Sequence, residues 1–492
     1  MAAANGVMGS ALSSPKLSTR GQSALARAGA FIQLANELFQ NAYSASNPDG
    51  FCNLGVAENS LLHAELVEYY NSKFHLEPVD FTYGNDLSGS MRLSKALARM
   101  FNAYFEPVTP VKPEHMLAGA GCSAVLDMLA FHLGDPGDGV LIPVPYYVGF
   151  NSDFAARSGM KPVPVAVDES DPFGVHTLKT FEETLRVAEA AGTPIRAVML
   201  CNPHNPLGRC YPRETILAYA RFCEEHDLHL ISDEIYAFSV FPTEDDEHPA
   251  PFVSALSIDF EKEAGCDPAR VHVVYGMSKD FNANGLRGGV LVSPHNPALL
   301  TAVKSTSIFM KMSTAAAALW SCILEDDVFF PEYIKENQRR LREAYEFTTS
   351  WFRFHGIPYS PANAGHFVMA DFRQFFTDAD AHGRPLPLVE EDKGAARDAA
   401  MCRRIIAAKV FVGSAAAFSC PTPGWCRITF AMRRDYLAVG LARLEQLFGL
   451  ESFGGLAAGM SEGGDGKAQE ATLAGGKDHV REVAELFEKT AL

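Results

Sequence analysis

The chain has 492 residues, of which 47% are hydrophobic and 21% are charged, so it is too long for one ordinary globular core and we expect two domains with tails. Its formal net charge of −17 argues against a nucleic-acid partner, because phosphate binding requires a positive surface. No apolar run reaches the roughly 20 residues that a membrane span requires.

The ten cysteines show neither a CxxC pair nor zinc-ligand spacing, and they are too sparse for a disulfide scaffold. We interpret them as reduced thiols of a cytoplasmic protein. The first 36 residues contain no Asp or Glu, a bias shared by transit peptides and by solvated N-terminal arms. We favour a flexible arm at residues 1–19.

Apolar positions at 20–46 follow one broad helical face and predict a helix, after which a short strand begins near residue 51. From about 90 to 330, strands alternate with helical segments such as 214–226. The predicted strands are 139–144, 163–167, 195–201, 228–232, 271–275 and 289–292. This alternation predicts an α/β fold whose mostly parallel sheet is covered by helices.

The second half predicts a smaller α+β domain, with a long helix at 335–355 and strands at 366–371 and 426–431. Residues 374–395 read as a polar loop. The predicted divisions are a segment at 20–75 that joins the small domain, a large domain at 76–334 and the small domain at 335–452. Residues 453–477 have the composition of a linker, and 478–492 form either a docked amphipathic helix or a frayed tail.

Five side chains of the predicted large domain supply an amide, a carboxylate, a phenol, an amine and a guanidinium: Asn205, Asp233, Tyr236, Lys279 and Arg287. Together they are the groups needed to hold pyridoxal 5'-phosphate (PLP). Lys279 follows an apolar strand, where an unpaired ammonium is costly unless it has a function. We predict that Lys279 bonds covalently to the PLP aldehyde and later moves the proton at the substrate Cα.

Asp233 ends its apolar strand, where its carboxylate can pair with the protonated pyridine nitrogen of PLP. The alternative is a helix N-cap, which Asp often provides at such a junction. The phenol of Tyr236 and the amide of Asn205 can reach the ring O3', although Asn-Pro dipeptides also initiate turns. We assign catalytic roles to Lys279, Asp233 and Tyr236.

Residues 118–124, Ala-Gly-Ala-Gly-Cys-Ser-Ala, open a predicted helix whose free N–H groups suit a phosphate, with Gly121 and Cys122 at the contact. They also match a loose G-x-G-x-x-A dinucleotide fingerprint, but the acidic residue expected about 20 positions later is absent. Arg287 would complete the phosphate site. Tyr147 would stack on the cofactor ring or pack in the core.

Arg427 lies on a predicted strand of the small domain, where a guanidinium fork can clamp a substrate α-carboxylate. The residues that select the reaction outcome are expected in the substrate pocket, and Glu58, Tyr83 and His366 are the candidates. For His366, the role of a packed strand residue is favoured over that of a catalyst.

Seven motifs carry a resemblance to a known family: Asn53-Leu-Gly-Val-Ala-Glu-Asn59, Asp135-Pro-Gly-Asp138, Pro143-Val-Pro-Tyr-Tyr147, Asn202-Pro-His-Asn-Pro-Leu-Gly208, Ser232-Asp-Glu-Ile-Tyr236, Ser278-Lys-Asp280 and Gly424-Trp-Cys-Arg427. Over roughly residues 20–450 the chain resembles the class I/II aminotransferases of PLP fold type I. Within them it is similar to the 1-aminocyclopropane-1-carboxylate (ACC) synthase-like branch.

The resemblance implies a homodimer with its active sites at the subunit interface, where Tyr83 would contact the neighbouring subunit's cofactor. It makes Arg427 the contact of the substrate carboxylate and Arg287 a phosphate ligand, and we also assign Glu58 to substrate binding. The family often has a phosphate-binding serine three residues before the lysine. This chain has Gly276 there, and Ser278 is the hydroxyl that would compensate.

Three reactions start alike, with removal of the Cα proton of an amino-acid substrate by Lys279. They then diverge into transamination, ACC formation from S-adenosylmethionine, or C–S bond cleavage in sulfur-containing secondary metabolism. The residues do not decide among these three reactions. The alternative of another class is a catalytically silent family member that acts as a binding protein. Lys279 and Asp233, both present, argue against it.

Overall fold

The structure is a computed structural model that describes residues 16–246, 248–379, 383–386, 393–454 and 456, without the side chains of 26–33. Most of the predicted N-terminal arm, and nearly all of the linker and helix predicted for 453–492, lie outside the described residues. In the described ranges, no helix combines the length and the apolar character needed to cross a membrane.

Twelve strands occur in the described part of the chain. They are β1 Cys52–Asn53, β2 Met116–Gly119, β3 Gly139–Pro143, β4 Lys161–Val165, β5 Ile195–Cys201, β6 His229–Asp233, β7 Val271–Gly276, β8 Gly289–Val292, β9 Phe367–Asp371, β10 Val410–Phe411, β11 Gly413–Ser414 and β12 Trp425–Thr429.

Thirteen α-helices occur in the same ranges. They are α1 Thr19–Gln40, α2 His63–Lys73, α3 Met91–Tyr104, α4 Cys122–Leu133, α5 Gly149–Ala155, α6 Leu178–Ala190, α7 Arg213–Glu225, α8 Phe260–Ala264, α9 Pro297–Thr306, α10 Thr314–Leu324, α11 Phe329–Phe354, α12 Lys393–Ala407 and α13 Arg434–Phe448.

A seven-stranded sheet in the order β2-β8-β7-β6-β5-β3-β4 forms the centre of the first half of the chain. All its neighbours pair in parallel except β8, which runs antiparallel to both β7 and β2. Strands β3, β7 and β8 are buried along their whole length, as expected where helices cover both faces of a sheet. The predicted α/β fold is confirmed.

A second, antiparallel sheet in the order β11-β12-β9 lies in the C-terminal half, where α11, α12 and α13 contribute to its own apolar core. Here β1 pairs in parallel with β10, through Cys52 opposite Val410. The segment before α2 is therefore bonded to the C-terminal part of the chain rather than to the large sheet.

Several element bounds differ from the sequence prediction for local reasons. The first helix ends at Gln40 rather than 46. The strand near residue 51 is limited to Cys52–Asn53, and the Asn53 side chain then accepts the N–H groups of Gly55 and Val56, which turns the chain. The long helix begins at Phe329, where Asp326 accepts the Phe329 N–H.

Candidate active site

A cavity of about 440 Å³ lies at the carboxyl ends of the parallel strands, the edge where α/β sheets bind ligands. Asp233 is the last residue of β6, and Lys279 follows β7 by three residues. Nine of the predicted site residues line this cavity: Cys122, Tyr147, Asn205, Asp233, Tyr236, Ser278, Lys279, Arg287 and Arg427. Residues from six regions of the sequence thus meet at one point.

Lys279 projects into the cavity and donates a hydrogen bond from Nζ to the Ala57 carbonyl at 2.5 Å. Burial, together with the positive charge of Arg427, lowers the pKa of Lys279 to about 8. A sizeable fraction of neutral amine is therefore present near neutral pH, as a nucleophile or a general base requires.

Asp233 is 5% exposed, and one of its carboxylate oxygens accepts the Ile235 N–H at 3.2 Å. The pKa of Asp233 is raised to about 7, mainly by burial; the nearby Asp153 carboxylate contributes to this rise, and the bond from Ile235 opposes it. A buried carboxylate of this kind is best stabilised by a cationic partner inside the cavity.

Tyr236 is fully buried, and among the described residues its hydroxyl has no hydrogen-bond partner. The ring meets Phe367 and His366 edge to face, with centroids 5.4 and 5.2 Å away. A buried phenol that faces a cavity without a partner is costly, so a polar ligand group is expected at this position.

The start of α4 forms an anion cradle together with Arg287. Gly121 precedes the helix at φ 91°, and a Cβ built on it would lie 2.5 Å from Arg287 Nη2. Arg287 itself has φ 55° and donates Nη1 to the Asn284 carbonyl at 2.9 Å. Free helix N–H groups beside a guanidinium are suited to bind a phosphate.

The atoms around position 276 explain why this residue is a glycine. A Cβ at this position would lie 2.7 Å from the Gly288 carbonyl oxygen and 2.8 Å from Cys122 Sγ. The Cys122 thiol thus occupies the space into which a serine at position 276 would project. Ser278 lines the cavity instead.

Arg427 lies on β12 and is 4% exposed, with its guanidinium between the rings of Phe367 at 4.6 Å and Phe418 at 4.5 Å. It donates Nη1 to Asn205 Oδ1 at 2.7 Å and Nη2 to the Gly55 carbonyl. Burial lowers the pKa of Arg427 to about 10. No carboxylate pairs with it in the described part of the chain, so an anionic ligand group would complete its environment.

Three predicted pocket residues lie outside the cavity lining. Glu58 accepts a hydrogen bond from Asn284 Nδ2 at 2.8 Å, next to the cavity. Tyr83 is 81% exposed on the surface of its own chain. His366 is fully buried, with Nε2 3.2 Å from Ser239 Oγ, and burial holds its pKa well below the usual value.

The sequence did not reveal two contributions to the cavity. Asp153 on α5 lines it with Oδ2 unpartnered among the described residues, and burial raises the pKa of Asp153 to about 7. The C-terminal half of α1 also lines it, through Leu34, Ala35, Leu38 and Phe39. The spacing of apolar residues in the α1 sequence predicted an apolar helix face, but it did not predict that this face lines the cavity.

The lining fits PLP group by group. The α4 cradle with Arg287 suits the phosphate, Asp233 the ring nitrogen, the unpartnered Tyr236 hydroxyl the O3' oxygen, and Lys279 the aldehyde.

Comparisons with known proteins agree with this fit. The sequence model of aminotransferase class I and II matches residues 52–444. A probable aminotransferase, aclI, of Aspergillus oryzae is 35% identical over 400 residues, which cover 80% of this chain and 90% of that protein. The 1-aminocyclopropane-1-carboxylate synthase 5 of Oryza sativa subsp. japonica is 34% identical, over 82% of this chain and 74% of that protein.

Solved structures show the same fold. A mutant aspartate aminotransferase of Thermus thermophilus, complexed with tryptophan, superimposes with a TM-score of 0.67 at 20% identity. The match covers 88% of this chain and 100% of that one.

Proposed function

The chain belongs to the class I and II aminotransferases, which are PLP-dependent enzymes, and from this premise we propose that it transaminates an α-amino acid. The observation that carries the proposal is that Lys279, an amine of lowered pKa, and Arg427, a guanidinium without a carboxylate partner in the described chain, line one cavity.

The residues around PLP have separate tasks. The N–H groups at the start of α4 and the Arg287 guanidinium hold the phosphate, and Asp233 holds the proton on the ring nitrogen. Tyr147 lies at the cavity wall, where its ring can cover a face of the cofactor. When bound, PLP withdraws electron density from the substrate Cα and so makes its proton acidic.

Arg427 binds the substrate carboxylate, and its orientation is fixed by Asn205 and by the two flanking rings. Because the fork cannot rotate, the Cα–H bond is held in one direction. Lys279, in its neutral form, would accept the proton from Cα and, for transamination, would donate it to the carbon that carried the PLP aldehyde. The pKa of about 8 suits both transfers near neutral pH.

ACC formation and C–S cleavage begin with the same proton removal, so product identity separates the three reactions. We expect one equivalent of a 2-oxo acid per active site when PLP-loaded protein meets an amino acid without an acceptor. Ammonia with a thiol would assign C–S cleavage instead, and ACC from S-adenosylmethionine would assign ACC synthesis.

Arg427→Lys is the variant that tests the substrate clamp, because it keeps a positive charge and loses the fork. We expect kcat/KM to fall by about 100-fold or more while PLP still binds. An unchanged kcat/KM would overturn the assigned role of Arg427.

We further propose that the enzyme is a cytoplasmic homodimer. All ten cysteines are free thiols, as in a reducing compartment. Exposed aromatic residues cluster on adjoining segments: Phe81, Tyr83 and Phe309 are 78%, 81% and 79% exposed. The segments adjoin because Lys311 donates to the Tyr83 carbonyl and Ser307 to the Leu87 carbonyl. Such an apolar surface suits a second copy of the chain.

A further inference from the structure

One helix forms part of the wall of the active-site cavity. Leu34, Ala35, Leu38 and Phe39 of α1 line the same cavity as Lys279 and Arg427. Their spacing of i, i+1, i+4 and i+5 places them on one face of the helix. This face, together with Phe411, Ala417 and Phe418, is called the apolar wall below.

The apolar wall is anchored rather than loosely placed. Leu38 packs with Phe51 and Ile406 in a small core, and Leu34 and Phe411 lie against the same core. Glu37, which lies on this half of α1, pairs with Lys409 at 3.6 Å. Neither charge faces the cavity, so the wall presents hydrocarbon only.

The apolar wall adjoins the carboxylate clamp. Phe418 belongs to the wall and also stacks on the Arg427 guanidinium, at 4.5 Å. A substrate carboxylate held by Arg427 therefore brings the rest of the amino acid close to the wall.

The cationic groups that line the cavity all have assigned partners other than the substrate side chain. Of the residues that line it in the described ranges, only Lys279, Arg287 and Arg427 carry positive charge. Their assigned partners are the cofactor aldehyde, the phosphate and the α-carboxylate. A second substrate carboxylate would lie against the wall without an opposite charge, and burial of an unpaired charge is unfavourable.

We infer that the apolar wall of α1 contacts the substrate side chain and favours an α-amino acid whose side chain is apolar over one that carries a second carboxylate. The inference rests on the proposed function, because it takes Arg427 as the site of the α-carboxylate. It excludes dicarboxylic amino acids as preferred substrates.

Unreactive carboxylates test the inference by binding alone. PLP-loaded full-length protein is titrated by calorimetry with 4-methylpentanoate and with succinate. We expect 4-methylpentanoate to bind about tenfold tighter or more than succinate, as burial of one branched side chain predicts. Equal or tighter binding of succinate would overturn the inference.

Two substitutions on α1 form a matched pair. Leu34→Asn places a polar group on the wall, whereas Leu25→Asn makes the same change at a position that is 65% exposed and outside the lining. We expect Leu34→Asn to weaken 4-methylpentanoate binding by about fivefold or more, Leu34→Met to restore it, and Leu25→Asn to leave it unchanged. Equal effects of both Asn variants would contradict a role for the wall.

Failure of the inference and failure of the proposed function give different results. These ligands carry no amino group, so their binding does not depend on turnover. If dicarboxylic amino acids are transaminated well, the function stands and the inference falls. If no amino acid yields a product while 4-methylpentanoate still binds tightest, the wall is supported and transamination is not.

Discussion

At the scale of single residues, Gly121 sets how closely Arg287 approaches the start of α4. An alanine there would be strained at φ 91°, and its Cβ would lie 2.5 Å from Arg287 Nη2. We expect Gly121→Ala to weaken PLP binding by about tenfold to 100-fold, the loss expected for one charge-assisted contact. The dissociation constant is measured by fluorescence quenching on addition of PLP.

Gly137→Ala is the control for this strain. Gly137 has φ 102° but open space around its Cβ position, so alanine is strained there without touching the cradle. We expect it to cost some stability and to leave PLP affinity unchanged. If both variants lose the same affinity, steric displacement of Arg287 is not the cause.

Asp153 is expected to shift the pH range over which PLP binds. Its carboxylate contributes, after burial, to the rise of the Asp233 pKa to about 7. Asp233 must be ionised to pair with the protonated ring nitrogen, so PLP affinity falls as pH drops through that pKa. In Asp153→Asn the pKa of Asp233 is lower, and the fall moves to lower pH.

The measurement is the PLP dissociation constant between about pH 5 and 8 for both proteins, with the midpoints compared. A midpoint that stays in place, or moves to higher pH, would show that Asp153 does not act on Asp233.

At the scale of elements, Glu445 on α13 ties the last helices together. It is 5% exposed and accepts hydrogen bonds from Trp351 Nε1 at 2.8 Å, His355 Nε2 at 3.0 Å and Phe453 N at 3.0 Å. Glu445→Ala would leave these buried donors without a partner. We expect it to lower the free energy of unfolding by about 3 kcal/mol in urea titrations.

Glu343→Ala on α11 is the comparison, because it removes a carboxylate that is 58% exposed and pairs with Arg339. We expect a change of about 0.5 kcal/mol or less. Equal losses from the two variants would contradict a special role of the buried carboxylate.

The elements also show how far the sequence could predict the fold. The strands of the large sheet were recognisable because both of their faces are covered, which leaves continuous apolar runs such as β5 and β7. Strand β2 was missed, because its four residues merge with the glycine-rich segment that follows. The pairing of β1 with β10 joins residues about 360 positions apart, which no local pattern records.

Some residues of the candidate site could be predicted from the sequence, and others could not. Lys279 and Asp233 were predicted because each ends or follows an apolar strand, where a charge stands out. Asp153 was not, because an aspartate in Asn-Ser-Asp-Phe looks like a solvated residue until the fold buries it. Only the tertiary structure places α1 against the cavity.

At the scale of the whole molecule, the exposed aromatic surface leads to a prediction about assembly. Phe309→Asp puts a charge at a position that is 79% exposed, beside the segment that carries Tyr83. We expect sedimentation to show a dimer for the native protein and a monomer for this variant. Val187→Asp, at a 52% exposed position on α6, should stay dimeric.

A native protein that sediments as a monomer would contradict the dimer. So would a Phe309→Asp protein that remains dimeric, because the interface would then lie on another surface.

The claim on which the whole account depends is that Lys279 holds PLP covalently. The most direct measurement is to add PLP, reduce with borohydride and map the modified peptide by mass spectrometry. The account predicts one phosphopyridoxyl group per chain, on Lys279, and none on that peptide in Lys279→Ala. Modification spread over surface lysines, or an equal yield in Lys279→Ala, would contradict it.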